Sequence, residues 1–157
     1  MRRKKEFFTV NDGDPRPVSA SVSRRVAFSE VDAMAVAWHG NYLRFFEAAH
    51  TELMQKIGLG FAEYARENLA APMVQSHVDY LSPLKLDERF TSTATLYFNE
   101  GARLDIAYTV TGEDGRVCAR GYSVQMFFGL HDHEVFIMLP PLVEKMHTRW
   151  KNGEFYD

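Results

Sequence analysis

One long helical pattern, followed by a series of strand-like patterns, constrains the fold of this chain more than any other sequence feature. Apolar side chains recur at three- and four-residue steps across residues 42–57 and predict an amphipathic helix that ends near Gly58. The apolar residues of this pattern are Tyr42, Phe45, Phe46, Ala49, Leu53 and Ile57. Because they surround much of the helix, we expect a curved sheet to wrap around it.

Other segments alternate between two sets of side chains with the period of two that is typical of strands. The predicted strands are one that begins at Val22 and others over residues 73–80, 89–98, 103–111, 116–128 and 135–138. A Gly-Glu-Asp-Gly sequence at residues 112–115 predicts a hairpin turn. Shorter helical patterns cover residues 61–69 and 142–151. A strand, a long helix and then antiparallel strands predict an α+β fold, with the sheet around a central helix.

The length of 157 residues suits a single domain with a sizeable core. Residues 11–17 are rich in turn-forming residues, so we interpret residues 1–20 as a flexible N-terminal lead-in. Residues 21–157 are predicted to form one domain that includes the C-terminal helix, because no repeat or linker interrupts them. A sheet of this kind leaves an edge that a second protomer would protect, so we expect a dimer.

The formal net charge of −3 argues against non-specific binding to nucleic acid. We interpret the basic residues 2–5 as a solvated terminus; contact with an acidic partner or an anionic membrane surface is the alternative. No apolar run reaches membrane-spanning length, and no signal-peptide core follows the basic residues, so we expect no membrane insertion. The single cysteine, Cys118, fits a reducing compartment, and we expect a cytoplasmic protein.

The segment most informative about function links Asp32 to the start of the long helix. Asp32 ends a strand-like run, and a short apolar segment leads from it to His39, Gly40 and Asn41. A helix N-terminus offers unpaired backbone N–H groups and a partial positive charge. A carboxylate beside such donors can attack a carbonyl, or direct water at it, while the donors polarise the carbonyl oxygen. This arrangement suits acyl transfer; a turn or capping role for Asp32 is the alternative.

Two segments in this region resemble a family signature. Residues 30–34 (Glu-Val-Asp-Ala-Met) and 38–47 (Trp-His-Gly-Asn-Tyr-Leu-Arg-Phe-Phe-Glu) are similar to the signature of hotdog-fold acyl-CoA thioesterases of the 4-hydroxybenzoyl-CoA thioesterase type. Residues 78–83 and 101–104 also resemble that family, and the similarity spans residues 22–129. It implies a hotdog fold, no cofactor or metal, a CoA site near a subunit interface, and a homodimer or homotetramer.

The resemblance also implies roles for individual residues. Asp32 corresponds to the acid that serves as nucleophile or general base, and the backbone amides around His39 to Asn41 would polarise the thioester carbonyl. The family often has glycine where this chain has Ala35, which puts the shape of the pocket and the size of the substrate in question.

The residues that follow Asp32 have alternative interpretations. His39 is either a catalytic acid or water-positioning group, or a polar side chain that is simply hydrogen-bonded near the pocket. Gly40 allows the backbone to approach a ligand closely. Asn41 is best explained as the N-cap of the helix, although its amide could assist the carbonyl oxygen. Tyr42 is expected to be part of the core or of the acyl-pocket wall.

Basic residues and a histidine pair suggest ligands of two other kinds. Lys85, Arg89 and Arg103 are candidates for contact with CoA phosphates, and a charged strand edge or loop is the alternative for each. His131-Asp132-His133 places two imidazoles around a carboxylate. It has no further ligand at suitable spacing, so we predict a hairpin turn and no metal site.

These features favour a hydrolase that cleaves an acyl thioester, of CoA or an acyl carrier protein, to a free acid and a thiol. A hotdog 3-hydroxyacyl dehydratase or hydratase is the first alternative, because Asp32 and His39 supply the acid and the imidazole that such a reaction needs. A non-catalytic module that binds acyl-CoA or an acyl carrier protein is the second.

Overall fold

The computed structural model describes residues 6–156, and the elements follow the predicted α+β order. The helices are α1 (Tyr42–Ile57), α2 (Phe61–Arg66) and α3 (Pro141–Lys151). The strands are β1 (Val18–Arg25), β2 (Leu69–Ala70), β3 (Met73–Tyr80), β4 (Arg89–Tyr97), β5 (Arg103–Gly112), β6 (Val117–Met126) and β7 (Phe128–Gly129). Five strands form one antiparallel sheet in the order β1-β4-β5-β6-β3, and β2 pairs with β7. The basic residues 2–5 lie outside the described residues, so the interpretation of that tail stays a prediction.

Helix α1 packs against one face of the five-stranded sheet, as its apolar pattern predicts. The Phe45 ring lies 4.7 Å from that of Phe90 on β4, and Phe46 stacks on Tyr108 of β5 at the same distance. On β6, a Cβ on Gly121 would come within 2.5 Å of the Phe46 ring, so glycine allows the close approach of helix and sheet. The helix ends at Gly58, whose left-handed φ of 76° is the conformation that glycine adopts without strain.

Strand β1 begins at Val18, four residues before the predicted start at Val22. Its exposed serines form hydroxyl pairs of 2.7 Å with threonines on β4, which add cross-strand hydrogen bonds on the exposed face of the strand. The pairs are Ser19–Thr95, Ser21–Thr93 and Ser23–Thr91. On the opposite face, Val18 and Ala20 continue the period-two alternation, and Val18 is buried, so the strand extends the same pattern beyond the predicted start.

The prediction of a strand over residues 135–138 is wrong. Only Val135 forms an isolated bridge, with Phe128, and Ile137 and Met138 are exposed. His133, just before this segment, adopts a left-handed φ of 57°, which interrupts extended backbone. The helix predicted over residues 61–69 also stops early, at Arg66, because Leu69 begins β2.

Strand β3 forms one edge of the five-stranded sheet and pairs with β6. Most of its side chains are exposed, including those of Met73 at its first residue and Tyr80 at its last. The two ends of this strand border the two regions described below.

Candidate active site

The connection from β1 to α1 contains Asp32, and backbone hydrogen bonds hold it against the segment before β4. The Ala37 N–H donates to the Leu84 carbonyl at 2.8 Å, and the Leu86 N–H donates to the Ala35 carbonyl at 2.9 Å. Leu84 is fully buried. These backbone hydrogen bonds hold the Asp32 loop against the core.

The Asp32 side chain is partly exposed within a tight turn. Its Oδ1 accepts a hydrogen bond from the Met34 N–H at 2.8 Å, and its backbone N–H donates to the Val36 carbonyl at 3.0 Å. The turn that was the alternative interpretation of Asp32 is thus present. Among the described residues Oδ2 has no hydrogen-bond partner, so one carboxylate oxygen is available to water or substrate.

Ala35 occupies the same turn in a left-handed conformation, with φ of 58°. Alanine pays a steric penalty in this region that glycine avoids. The presence of glycine at this position in the resembling family therefore has a backbone explanation, independent of pocket shape.

A single 3₁₀ turn, His39–Asn41, precedes α1. The Asn41 N–H donates to the Trp38 carbonyl at 2.9 Å, and the Tyr42 N–H donates to the His39 carbonyl. Within residues 6–156 the backbone N–H groups of His39 and Gly40 have no backbone acceptor. These two N–H groups are the candidate donors at the helix start.

Asn41 does not cap the helix through its side chain, which corrects the prediction. Its Nδ2 instead donates to the Glu30 carbonyl at 2.8 Å, and that carbonyl also accepts the Trp38 N–H at 2.8 Å. Arg24 pairs with the Glu30 carboxylate at 2.7 Å and lowers its pKa. This ion pair fixes the residue whose carbonyl binds Asn41 and Trp38.

Gly40 lies directly under the ring of Trp38. A Cβ at this position would come within 2.2 Å of Cζ3 of that ring, closer than any real contact. Trp38 is half exposed and its ring also lies 5.1 Å from that of His39. Any side chain here would force the indole or the backbone of the turn to shift, because the indole covers that backbone.

Tyr80, which the sequence did not single out, contacts the same turn from the end of β3. Its Oη donates to the His39 carbonyl at 2.9 Å, so that carbonyl accepts two hydrogen bonds, one from Tyr80 and one from the Tyr42 N–H. In a trans peptide the C=O and N–H groups point in opposite directions. Fixing the His39 carbonyl therefore fixes the direction of the Gly40 N–H.

His39 and Tyr42 differ in exposure. The imidazole of His39 is exposed, lies 6.3 Å from the Tyr80 ring, and has no hydrogen-bond partner among the described residues. Tyr42 is buried against Phe45 and Tyr80, and burial raises its pKa to about 12. Tyr42 thus belongs to the core beneath the turn.

The structure separates the three basic residues predicted to contact CoA. Lys85 forms an isolated bridge with Val36 beside the Asp32 loop, and Arg89 begins β4 at that end of the sheet. Arg103 begins β5 at the opposite end and donates to Asp105 Oδ1 at 2.8 Å. Since β5 contains ten residues, about 30 Å separate the two ends. Within one chain, Arg103 lies at the opposite end of the sheet from Lys85 and Arg89, because β5 runs antiparallel to β4.

The histidine pair near the C-terminus forms a turn. Asp132 Oδ1 accepts a hydrogen bond from the Glu134 N–H at 3.0 Å. Across residues 6–156 no group of three or more metal-ligating side chains is assembled. In the same part of the chain, no helix is long and apolar enough to cross a membrane.

Comparisons with known proteins agree with this fold. The model of the thioesterase-like superfamily matches residues 26–146. A putative esterase of Aquifex aeolicus is 30% identical over 91 residues, which cover 58% of this chain and 71% of the relative. A 1,4-dihydroxy-2-naphthoyl-CoA hydrolase of Thermosynechococcus vestitus is 25% identical over 103 residues, which cover 65% and 70%.

A solved structure shares the architecture. The DHNA-CoA thioesterase of Staphylococcus aureus superposes with a TM-score of 0.75 at 18% identity, over 87% of this chain and 94% of that one. The likeness confirms the predicted hotdog architecture of an antiparallel sheet and a long helix. The chain belongs to the thioesterase-like superfamily.

Proposed function

We propose that this chain hydrolyses an acyl thioester to a free acid and a thiol, with an acyl-CoA as the substrate and an acyl-carrier-protein thioester as the alternative. The observation that carries the proposal is that one connection, from β1 to α1, contains both a carboxylate and backbone donors. Among the described residues one Asp32 carboxylate oxygen has no hydrogen-bond partner, and the N–H groups of His39 and Gly40 have no backbone acceptor. The CoA thioester in the name of the cyanobacterial relative supports this choice of substrate.

In the proposed reaction, the N–H groups of His39 and Gly40 polarise the thioester carbonyl and stabilise the oxyanion that develops. Asp32 either takes a proton from the attacking water or attacks the carbonyl carbon itself and forms an acyl anhydride that water then cleaves. Either route breaks the C–S bond, and the sulfur leaves as a thiolate that takes up a proton. The exposed imidazole of His39 is suited to place the water or protonate the thiolate.

Tyr80 is proposed as a positioning residue in this reaction. It touches neither Asp32 nor the reacting atoms and acts through the His39 carbonyl that it binds at 2.9 Å. Preorganised donors stabilise a transition state because they need no reorientation when charge develops. The hydroxyl of Tyr80 supplies part of that preorganisation.

We further infer that β3 pairs with β3 of a second copy. An edge strand presents unpaired backbone groups, and this one also exposes Met73, Val74 and Tyr80 to about half of their full surface. Pairing two copies by a two-fold axis would satisfy the backbone groups and cover these side chains.

Thiol release from a panel of short, long and aromatic acyl-CoAs tests the function. Asp32→Asn is expected to lower kcat by about two to four orders of magnitude with little change in unfolding temperature. Asp87→Asn is the matched control, because Asp87 is exposed in the neighbouring loop. Near-normal turnover by Asp32→Asn would contradict the proposal. Hydration of enoyl-CoA without thiol release would indicate a hydratase. Thermal stabilisation of the protein by acyl-CoA without thiol release would indicate a binding module.

A further inference from the structure

The face of the five-stranded sheet that points away from α1 carries three aromatic rings. Side chains alternate along a strand, and Gly121 of β6 faces α1, so its neighbour Tyr122 points away from the helix. His77 lies opposite Tyr122 in the pairing of β3 with β6, and the two rings stack 5.3 Å apart. Tyr97 of β4 also points away from the helix, because Phe90 of that strand packs against α1. We call the rings of His77, Tyr97 and Tyr122 the outer patch.

The segment that precedes β1 covers the outer patch with two phenylalanines. The Phe7 ring lies 5.1 Å from the ring of Tyr122 and 5.7 Å from that of His77. The Phe8 ring lies 5.6 Å from the ring of Tyr97 and 5.7 Å from that of Tyr122. Together they bridge β3, β6 and β4, three of the five strands of the sheet.

A charged contact adds to this cover. Arg120 lies two residues before Tyr122 and on the same face, with its guanidinium 5.0 Å from the centre of the Phe7 ring and 3.7 Å from the Glu6 carboxylate. We call residues 6–8 the cap segment. Among the described residues, no backbone–backbone hydrogen bond joins the cap segment to the sheet. Side-chain contacts therefore hold it in place, so changing those side chains leaves the strand pairing intact.

The cap segment supplies the same chemistry that a second copy of the outer patch would supply. It places phenyl rings against Tyr122 and a carboxylate against Arg120. Asp79 lies opposite Arg120 in the pairing of β3 with β6, so this face carries one charge of each sign beside the aromatic rings. A second copy related by a two-fold axis would offer its Tyr122 ring to Tyr122 and its Asp79 carboxylate to Arg120. The face is therefore complementary to itself.

We propose that the cap segment prevents the outer patch from packing face to face against a second copy, and thereby limits the size of the assembly. Sheets pack in this way about 10 Å apart when their facing side chains interdigitate. This contact uses a face of the sheet, whereas the β3 pairing inferred above uses an edge, so both contacts can exist in one assembly. The cap segment precedes residues 26–146, which the family model matches, so it lies outside the region that the chain shares with that model.

Molar mass from light scattering, measured on the full chain over a series of concentrations, tests the proposal. Phe7→Ser combined with Phe8→Ser is expected to double the mass. Its midpoint of association should lie at a concentration roughly tenfold or more below that of wild type, because wild type associates only from its uncapped fraction. Phe28→Ser is the matched control, since Phe28 is an exposed phenylalanine in the connection from β1 to α1, and it should keep the wild-type mass. Equal masses of wild type and the double variant at every concentration, or aggregation of the double variant without a defined mass, would overturn the proposal.

Charge reversal identifies the surface that associates. In the double variant, Arg120→Glu would face the Asp79 carboxylate of the second copy, so the mass is expected to return to that of wild type. Adding Asp79→Arg restores opposite charges with their positions exchanged, and the doubled mass should reappear. Matching unfolding temperatures of these variants exclude loss of the fold as the cause. A doubled mass that persists with Arg120→Glu, or that does not reappear with Asp79→Arg, would show that another surface associates and would overturn the proposal.

Discussion

At its last residue, Tyr80, strand β3 meets a turn held by hydrogen bonds, whereas before its first residue, Met73, it borders a cavity of about 530 Å³ between α2 and the β2–β7 pair. The first region is exposed, and its order comes from polar contacts to backbone carbonyls, those of Glu30 and His39. The second is lined largely by apolar side chains, which include those of Phe61, Leu69, Phe128 and Leu130.

In the proposed reaction, the difference between the two regions corresponds to two physical requirements. Donors that stabilise developing charge must be held in position before the reaction, which a braced backbone achieves. Binding of an apolar group needs apolar walls, which the cavity has. The predictions below change one region at a time.

Of the changes at the two ends of β3, the largest effect is expected at the 3₁₀ turn His39–Asn41. Gly40→Ala places a Cβ against the Trp38 ring and displaces either the ring or the backbone donors, so kcat should fall roughly 10²-fold. Trp38→Ala removes the atoms that clash. In a double-mutant cycle the added cost of Gly40→Ala should therefore shrink on the Trp38→Ala background. An equal cost on both backgrounds would rule out the indole as its cause.

A smaller effect is expected when the turn loses one hydrogen bond. Tyr80→Phe keeps the ring but frees the His39 carbonyl, so kcat should fall roughly tenfold while KM changes little. Tyr122→Phe is the control, since Tyr122 packs against His77 and Phe7, away from α1. A change in KM alone, or an equal loss in both variants, would contradict a positioning role.

The sequence predicted the turn but not the hydrogen bond from Tyr80. Asp32 and His39–Asn41 are close in sequence, so a local pattern was enough to group them as candidate site residues. Tyr80 lies 41 residues from His39, and no local pattern reports such a contact.

Long-range geometry also explains where the sequence misled. Arg103 and Lys85 were grouped by charge, yet the antiparallel direction of β5 separates them. The helix α1 was predictable because its buried face has a regular period.

Acid is expected to destabilise the Met73 end of β3, next to the cavity, before the rest of the fold. His50 bonds to Gln125 at 2.7 Å, and Gln125 in turn donates to the Ala71 carbonyl at the cavity wall. Burial lowers the pKa of His50 below its ordinary 6.5, despite the opposing influences of the Gln125 hydrogen bond and of Glu47. The unfolded chain therefore binds more protons below pH 6.5, and stability should fall as pH falls through this range.

Hydrogen exchange between pH 7 and 5 measures this effect. Protection should decrease around residues 69–73 and persist around Glu88, which Arg116 contacts at 2.6 Å and whose pKa this contact lowers to about 2. The contribution of Glu88 is lost only as pH falls below 4.5. His50→Gln should reduce the loss, and His147→Gln controls for a second buried histidine with a lowered pKa. An equal loss of protection around residues 69–73 and around Glu88 would contradict the prediction that acid acts first next to the cavity.

The smallest effect concerns the backbone of the Asp32 turn. Ala35→Gly removes the steric cost of a left-handed alanine and should raise the free energy of unfolding by about 0.5–1 kcal/mol, as measured in urea. A decrease would mean that the entropy of the unfolded glycine outweighs the relief of strain.

The most direct test of the central claim is single-turnover thiol release by Asp32→Asn at saturating enzyme, with the acyl-CoA that the wild type cleaves fastest. Under these conditions the rate reports the chemical step and is independent of substrate affinity and product release. The proposed mechanism predicts a rate about two to four orders of magnitude below that of wild type. A single-turnover rate close to wild type would contradict the assignment of the reaction to Asp32.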